Sequence, residues 1–301
     1  MARRRGRSGN QNFAAILAIV ASQAIFTVND GLMKLAAQEI PGGQAIFIRG
    51  AASIALSGAL AVYLGAFKAL PSLLRQWRLV ASRNFGEVAA TMFYLTALFH
   101  MPIADATAIL QVVPLAITAG AALVLGEPVG WRRWLATAIG FAGVLIVIRP
   151  GSSAFNAWSL AALAAVVAIV IRDLSTRRID RGVPTILLTF VSSITVSAMA
   201  AGLAITETWT VPSQRAVLLA GAASFFVIGG YFLVIEGMRK GEVAVVAPFR
   251  YSVIIWAIIV GIIVFGEWPD VYALAGTAVV IAAGLYTFFR ERQLKQQRGL
   301  A

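Results

Sequence analysis

Long apolar segments alternate with short polar ones along almost the whole chain. Uncharged runs of about 20 residues match the length a helix needs to cross about 30 Å of hydrocarbon. They predict ten spans: Phe13–Ala37, Gly43–Leu64, Leu79–Phe99, Ile103–Leu125, Trp131–Ile148, Trp158–Leu174, Thr185–Ile205, Val217–Glu236, Val243–Phe265 and Val271–Phe289. The third is the least regular, because Arg83, Asn84 and Glu87 interrupt its first turns. An open strand would leave backbone groups unpaired in lipid, and the alternation of a membrane barrel is absent, so the spans are read as helices. The expected fold is all-α: a polytopic membrane protein with no soluble domain.

Composition agrees. The 301 residues are 59% hydrophobic and 13% charged, with mean hydropathy +0.83. So few charges cannot cover a water-soluble domain of this size. The cations fall on alternate sides of the spans. One side takes Arg3, Arg4, Arg5 and Arg7, then Lys68, Arg75, Arg78 and Arg83, then Arg132 and Arg133. It also takes Arg172, Arg177, Arg178 and Arg181, then Arg239 and Lys240, then Arg290, Arg292, Lys295 and Arg298. The other side holds only Arg149 and Arg215, while Lys34, Arg49 and Arg250 lie within spans. The positive-inside rule then puts both termini in the cytoplasm. The net charge of +12 is thereby a matter of topology. No aromatic-interleaved basic stripe accompanies it, so nucleic acid is not an expected partner. The apolar run from Phe13 is too long for a secretory signal and is read as a retained helix. Without cysteine there is no disulfide framework, thiolate metal site or thiol nucleophile. This fits a bacterial inner membrane.

The chain also repeats itself. Ile16–Gly50 aligns without gaps on Ser159–Ser193, placing Asn29-Asp30 on Arg172-Asp173, Lys34 on Arg177 and Pro41 on Pro184. Leu123 to Glu127 likewise aligns on Ile263 to Glu267. Five spans per repeat is odd, so the copies must face opposite ways, with Gly126-Glu127 inside and Gly266-Glu267 outside. Inverted repeats are an architecture of secondary transporters, with substrate near the midplane between the halves. The expected organisation is a basic tail (1–12), a first five-helix repeat (13–149), a second, inverted one (157–289) and a second basic tail (290–301).

Three blocks carry a resemblance. They are Phe26 to Lys34 with Pro41, Gln44 and Arg49; Ala104-Asp105-Ala106-Thr107-Ala108 through Pro114 to Gly126-Glu127; and Ala247-Pro248-Phe249-Arg250-Tyr251 to Gly266-Glu267. On these the chain resembles the EamA family of the drug/metabolite transporter superfamily, over nearly its whole length. The resemblance implies two five-helix repeats and a small-molecule substrate. Within the family it is similar to YddG-like exporters of aromatic amino acids and related compounds, which implies amino-acid export. The same Asn-Asp…Lys…Arg opening also resembles importers of other metabolites.

Charges inside a membrane are costly and therefore candidates for function. Asp30 and Lys34, four residues apart, share one helix face with Asn29 beside them. That face either lines a path or forms a self-neutralising pair tied to the second helix through Arg49, with Lys34 snorkelling outward. Arg250 follows Pro248, which should loosen its helix. It would meet a substrate carboxylate or a structural acid such as Glu87. Glu87 is also a candidate proton or cation site. Tyr94 and Gln111 could hold a planar substrate, and Tyr251 and Trp256 offer aromatic faces. The expected substrate pathway is thus Asp30, Arg49, Glu87, Tyr94, Gln111, Arg250, Tyr251 and Trp256. Trp131, Trp134, Trp158, Trp209 and Trp268 read as interfacial anchors, and His100 as a capping or interfacial residue. The Gly-Glu elements read as helix terminators.

No H-E-x-x-H, G-x-S-x-G or P-loop occurs, and one histidine cannot build a metal site, so neither enzyme activity nor a cofactor is expected. The partners expected are the bilayer, a small-molecule substrate and, for coupling, protons; nothing specifies an oligomer. Small residues should let helices approach and rock: the Ala51/Ala55/Ala59 row, Ser53 and Ser57, Gly140 and Gly143.

Overall fold

The structure is a computed structural model, and it describes residues 9–126, 130–152, 155–180, 182–240 and 246–297. The start of the predicted ninth span, the Glu127-Pro128 terminator and the outermost basic residues of both tails lie outside the described residues. Among those described, every regular element is helical. In chain order they are α1 (Gly9–Ala36), α2 (Gly42–Tyr63), α3 (Leu70–Arg75), α4 (Trp77–His100), α5 (Ile103–Leu110) and α6 (Val113–Leu125). Then follow α7 (Trp131–Ile148), α8 (Trp158–Arg178), α9 (Thr185–Gly202), α10 (Gln214–Lys240), α11 (Val253–Val260) and α12 (Val271–Gln297).

Nine of the described stretches are long and apolar enough to cross a membrane. The protein is therefore an all-helical polytopic membrane protein. The region predicted as the third span forms a 24-residue helix, α4, that carries Arg78, Arg83 and Glu87 in its first half and is not among those nine.

Proline and glycine punctuate the chain as their chemistry requires. Pro41, Pro102 and Pro184 stand immediately before α2, α5 and α9, each extended with ψ near 140°. The span predicted as Ile103–Leu125 is broken at Gln111–Val112, where the Gln111 and Val112 amides turn back to Ala108 and Ile109. Pro114 cannot donate to Leu110, so the ladder tightens ahead of it. Pro248 likewise opens its span as a 3-10 segment, Ala247–Ser252, before α11 begins. That span ends in a wide turn, Gly261–Phe265, and Gly266 stops it at φ 67°. Gly126 stops α6 at φ 66°. Only glycine adopts this left-handed conformation without strain, so the terminator reading holds at both glycines.

The helices pack chiefly in four pairs: α1 with α10, α4 with α8, α7 with α12, and α2 with α9. Lipid tails are as apolar as leucine, so close van der Waals contact has to hold such pairs together. Each crossing brings backbone close at a glycine. A Cβ on Gly86 would lie 2.7 Å from the Arg172 amide nitrogen and 2.8 Å from the Ala168 carbonyl oxygen. A Cβ on Gly143 would lie 2.9 Å from the Gly276 carbonyl oxygen. Gly50 meets Ser197, and Gly237 meets Ile19, in the same way.

Two expectations are corrected. The Ala51/Ala55/Ala59 row is exposed; α2 meets α9 at Gly50 and Gly58 instead, against Ser197 and Phe190. Arg83 and Arg172, grouped above with the loop cations, lie within α4 and α8, where Glu87 of α4 pairs with Arg83 of its own helix and with Arg172 across the interface.

Gly86→Val should force α4 from α8 and lower stability by about 1–3 kcal/mol, the usual effect of overpacking. Gly221, on α10 with nothing within 4 Å of its would-be Cβ, supplies the control variant Gly221→Val. Equal melting temperatures for the two purified variants would contradict this account of the crossing.

Candidate functional site

Asp30 sits in the second half of α1 with its carboxylate turned to α4. The Tyr94 hydroxyl donates to its Oδ2 at 2.6 Å, and the Asn29 amide donates to its Oδ1 at 2.9 Å. Both partners are neutral. Arg49 on α2 is an electrostatic neighbour of Asp30, Glu87 and Tyr231, with no carboxylate in ion-pair reach among the described residues. Its backbone carbonyl accepts a 2.7 Å hydrogen bond from Ser224 on α10, which ties α2 to that helix. The self-neutralising Asp30–Lys34 pair expected above does not form.

Glu87 stands one layer away. It is flanked by Arg83 at 3.5 Å and Arg172 at 3.6 Å, and Arg172 also bonds Asp173 at 2.7 Å. Arg83 further donates to Ser192 and, at 3.2 Å, to Asn84, while Ser192 donates to Asn84 at 2.7 Å. Tyr231 of α10 links the two groups, with Glu87, Arg172, Arg83 and Asp173 as electrostatic neighbours. Its ring stands edge-on to Phe26 at 5.2 Å, and it is 47% exposed.

The structure thus brings together four of the eight predicted pathway residues: Asp30, Arg49, Glu87 and Tyr94. The other four are placed differently. Gln111 caps the broken helix α5 and is half-buried. Arg250 is exposed, and Glu87 has other partners, so the structural Arg250–Glu87 pair is excluded. The Tyr251 hydroxyl packs against Gly284. Trp256 lies on α11, which packs against α1 and α5, with its indole nitrogen buried and unpartnered. Sequence reasoning missed Tyr231, Asn84, Ser192 and Ser224 as neighbours of these groups. The alignment of Asp30 on Asp173 was the one available signal, since it marked equivalent charges in both repeats.

Lys34 reaches inward rather than snorkelling. Its ammonium donates to the Met101 carbonyl at 2.7 Å and pairs with Glu267 at 2.5 Å. The second oxygen of Glu267 accepts the Ile103 amide at 2.9 Å, so one carboxylate joins α1, the start of α5 and the end of the α11 span. Glu267 is therefore more than a terminator. Around it, Glu207 accepts the Gly43 amide, Gln44 and Thr210 exchange two hydrogen bonds, and Glu39 pairs with Arg215 at 2.6 Å. Trp209 tilts against Phe47 with its indole nitrogen on Glu207, a packing role beyond interfacial anchoring. His100 stacks on Trp158 at 4.0 Å and donates to the Thr96 carbonyl. Arg149 pairs with Asp270. Burial acts to raise the Asp270 carboxyl, but the Ala273 amide and Arg149 outweigh it and hold the group below the usual carboxylate range. One end of the bundle is thus latched across most of its helix connections. At the other end, Gln76 accepts the Asp180 amide at 2.9 Å, and Ser82 and Ser175 bond at 2.8 Å. Among the described residues no three His, Asp or Glu side chains gather as for a metal.

A bundle of apolar helices with charges paired inside it is the build of a polytopic membrane protein. The sequence matches the EamA-like transporter family twice, over residues 13–149 and 156–289. The chain belongs to that family. It is 25% identical to an S-adenosylmethionine uptake transporter of Rickettsia prowazekii over 64% of this chain and 65% of that protein. It is 26% identical to a riboflavin transporter of Vibrio cholerae over 75% and 76%, and 25% identical to the pseudopaline exporter CntI of Pseudomonas aeruginosa over 89% and 93%. A crystal structure 20% identical in sequence superposes with a TM-score of 0.63, covering 94% of this chain and 99% of that one, which shows the shared fold.

Lys34→Met should leave the half-buried Glu267 without its cation and destabilise the protein by about 1–3 kcal/mol. Adding Glu267→Gln, which keeps an acceptor for the Ile103 amide, should restore most of the loss. A single variant that melts with the parent would show the pair to be dispensable.

Proposed function

We propose that the protein is a secondary transporter that moves amino acids, aromatic and other neutral ones, and related small metabolites by alternating access. It works as a carrier and not as an enzyme. Its ten spans form two inverted five-helix repeats in a bacterial inner membrane, with both termini cytoplasmic. The helix pairing supports the repeat. Exchanging the halves turns the α1–α10 pair into the α8–α4 pair and returns the α2–α9 and α7–α12 pairs to themselves. On this topology the latched end faces away from the cytoplasm. Asp30, Arg49, Glu87 and Tyr94 line the path's interior; Gln111, Arg250, Tyr251 and Trp256 lie along its course or its mouth. Glu87 is the proposed proton site if transport is coupled.

The observation that carries this reading is the group around Asp30 and Arg49, two charges inside the bundle that do not neutralise each other directly. Export is the proposed direction, from the YddG-like resemblance. Uptake of an adenosylated amino acid is the second reading, favoured by four S-adenosylmethionine uptake transporters of Rickettsia at 24–26% identity.

Purified protein in proteoliposomes should exchange phenylalanine, tryptophan or small neutral amino acids, with mutual competition. Transport of a nucleotide-sugar or another polyanion, without amino-acid transport, would overturn the cargo class.

For topology, single cysteines at positions 7, 178 and 298 should resist an impermeant thiol reagent applied to intact cells. Labelling of any of the three from outside would reverse the orientation or change the span count.

A further inference from the structure

We infer that Arg49 and Asp30 form a clamp for a zwitterion, Arg49 holding a carboxylate and Asp30 an ammonium group. The inference rests on the transporter reading above and names the groups of the cargo that the site recognises.

The argument is one of commitment. Most charges within the bundle already have a charged partner in reach. Lys34 has Glu267, while Glu87 has Arg83 and Arg172, and Arg172 also has Asp173. Arg49 and Asp30 differ. Asp30 is held only by a phenol and an amide, which orient its carboxylate without neutralising it. Among the described residues the Arg49 guanidinium makes no hydrogen bond, and no acid lies within ion-pair distance. Yet they lie within electrostatic reach of each other without closing into an ion pair. Unmet charge in a bundle interior is costly, so water or cargo has to satisfy it.

The chemistry of the two groups selects the cargo. A guanidinium offers a planar fork that fits a carboxylate in two parallel hydrogen bonds. A carboxylate already fixed by two donors still has lone pairs for an ammonium group. The acids Asp30, Glu87 and Asp173 are matched in number by Arg49, Arg83 and Arg172 in this connected group. A net-neutral cargo preserves that balance and a polyanion breaks it. Tyr94, bonded to Asp30, and Tyr231, a neighbour of Arg49, bring aromatic rings to the same group, which suits an apolar or planar side chain. An α-amino acid has all of these features.

Three probes test the clamp on the folded protein in detergent and in proteoliposomes: phenylalanine, phenethylamine (no carboxylate) and 3-phenylpropanoate (no amine). The parent should bind phenylalanine at least about tenfold more tightly than either analogue, as loss of a charge-assisted contact implies. Arg49→Gln should lower phenylalanine to the level of phenethylamine while leaving phenethylamine unchanged. Asp30→Asn should lower it to the level of 3-phenylpropanoate and spare that probe. A merely structural role would instead weaken all three probes together, and that result overturns the clamp. Should Arg49→Gln not fold, Arg49→Lys is compared in its place; it should keep part of the preference over phenethylamine, and keeping all or none of it counts against the fork. If no probe binds while another solute is transported, the clamp falls and the transporter reading stands. Absence of transport for every solute sinks that underlying reading.

Discussion

The structure depends on the lack of hydrogen-bonding solvent in hydrocarbon. Backbone amides and carbonyls there have to find each other within a segment, which makes helices the available solution for a chain this apolar. Charges there are not left to bulk water either, and several find partners on other helices. Lys34 reaches 233 residues along the chain to Glu267 and 67 residues to the Met101 carbonyl. Glu87 draws Arg172 from α8 as well as Arg83 from its own helix. Paired charges are therefore the ties that position the spans laterally.

Contact between backbones provides the rest of the cohesion. Glycines at the α4–α8 and α7–α12 crossings let helices touch without an intervening side chain. Such interfaces rely on fit more than on solvent exclusion, so small adjustments of one helix against its neighbour need not expose apolar surface to water. The polar ties gather at one end of the bundle, and the less committed charges lie between that end and the other.

Prolines contribute a third element. The break before Pro114 and the 3-10 start at Pro248 interrupt spans that would otherwise be continuous ladders. Interrupted helices leave backbone carbonyls available inside a membrane, where they are tolerated only against protein or a water-filled cavity. Their presence is consistent with an interior that is not packed solid.

That the chain forms helices long and apolar enough to cross a membrane, and where proline and glycine stop them, was legible in the sequence, because hydropathy and punctuation are local properties. The family was legible too, from the Asn29-Asp30…Lys34…Arg49 opening and the blocks ending in Gly126-Glu127 and Gly266-Glu267. Asp30, Arg49, Glu87 and Tyr94 could be picked out as polar groups in apolar stretches, and they lie in one connected group. Tertiary structure decided who meets whom. Lys34 turned inward to Glu267, Arg83 and Arg172 left the loops for an interhelical cluster, and Arg250 came out exposed. The physical reason is that a residue's rotation about its helix axis and the identity of the opposing helix are set by packing between segments far apart in sequence, and no local pattern records them.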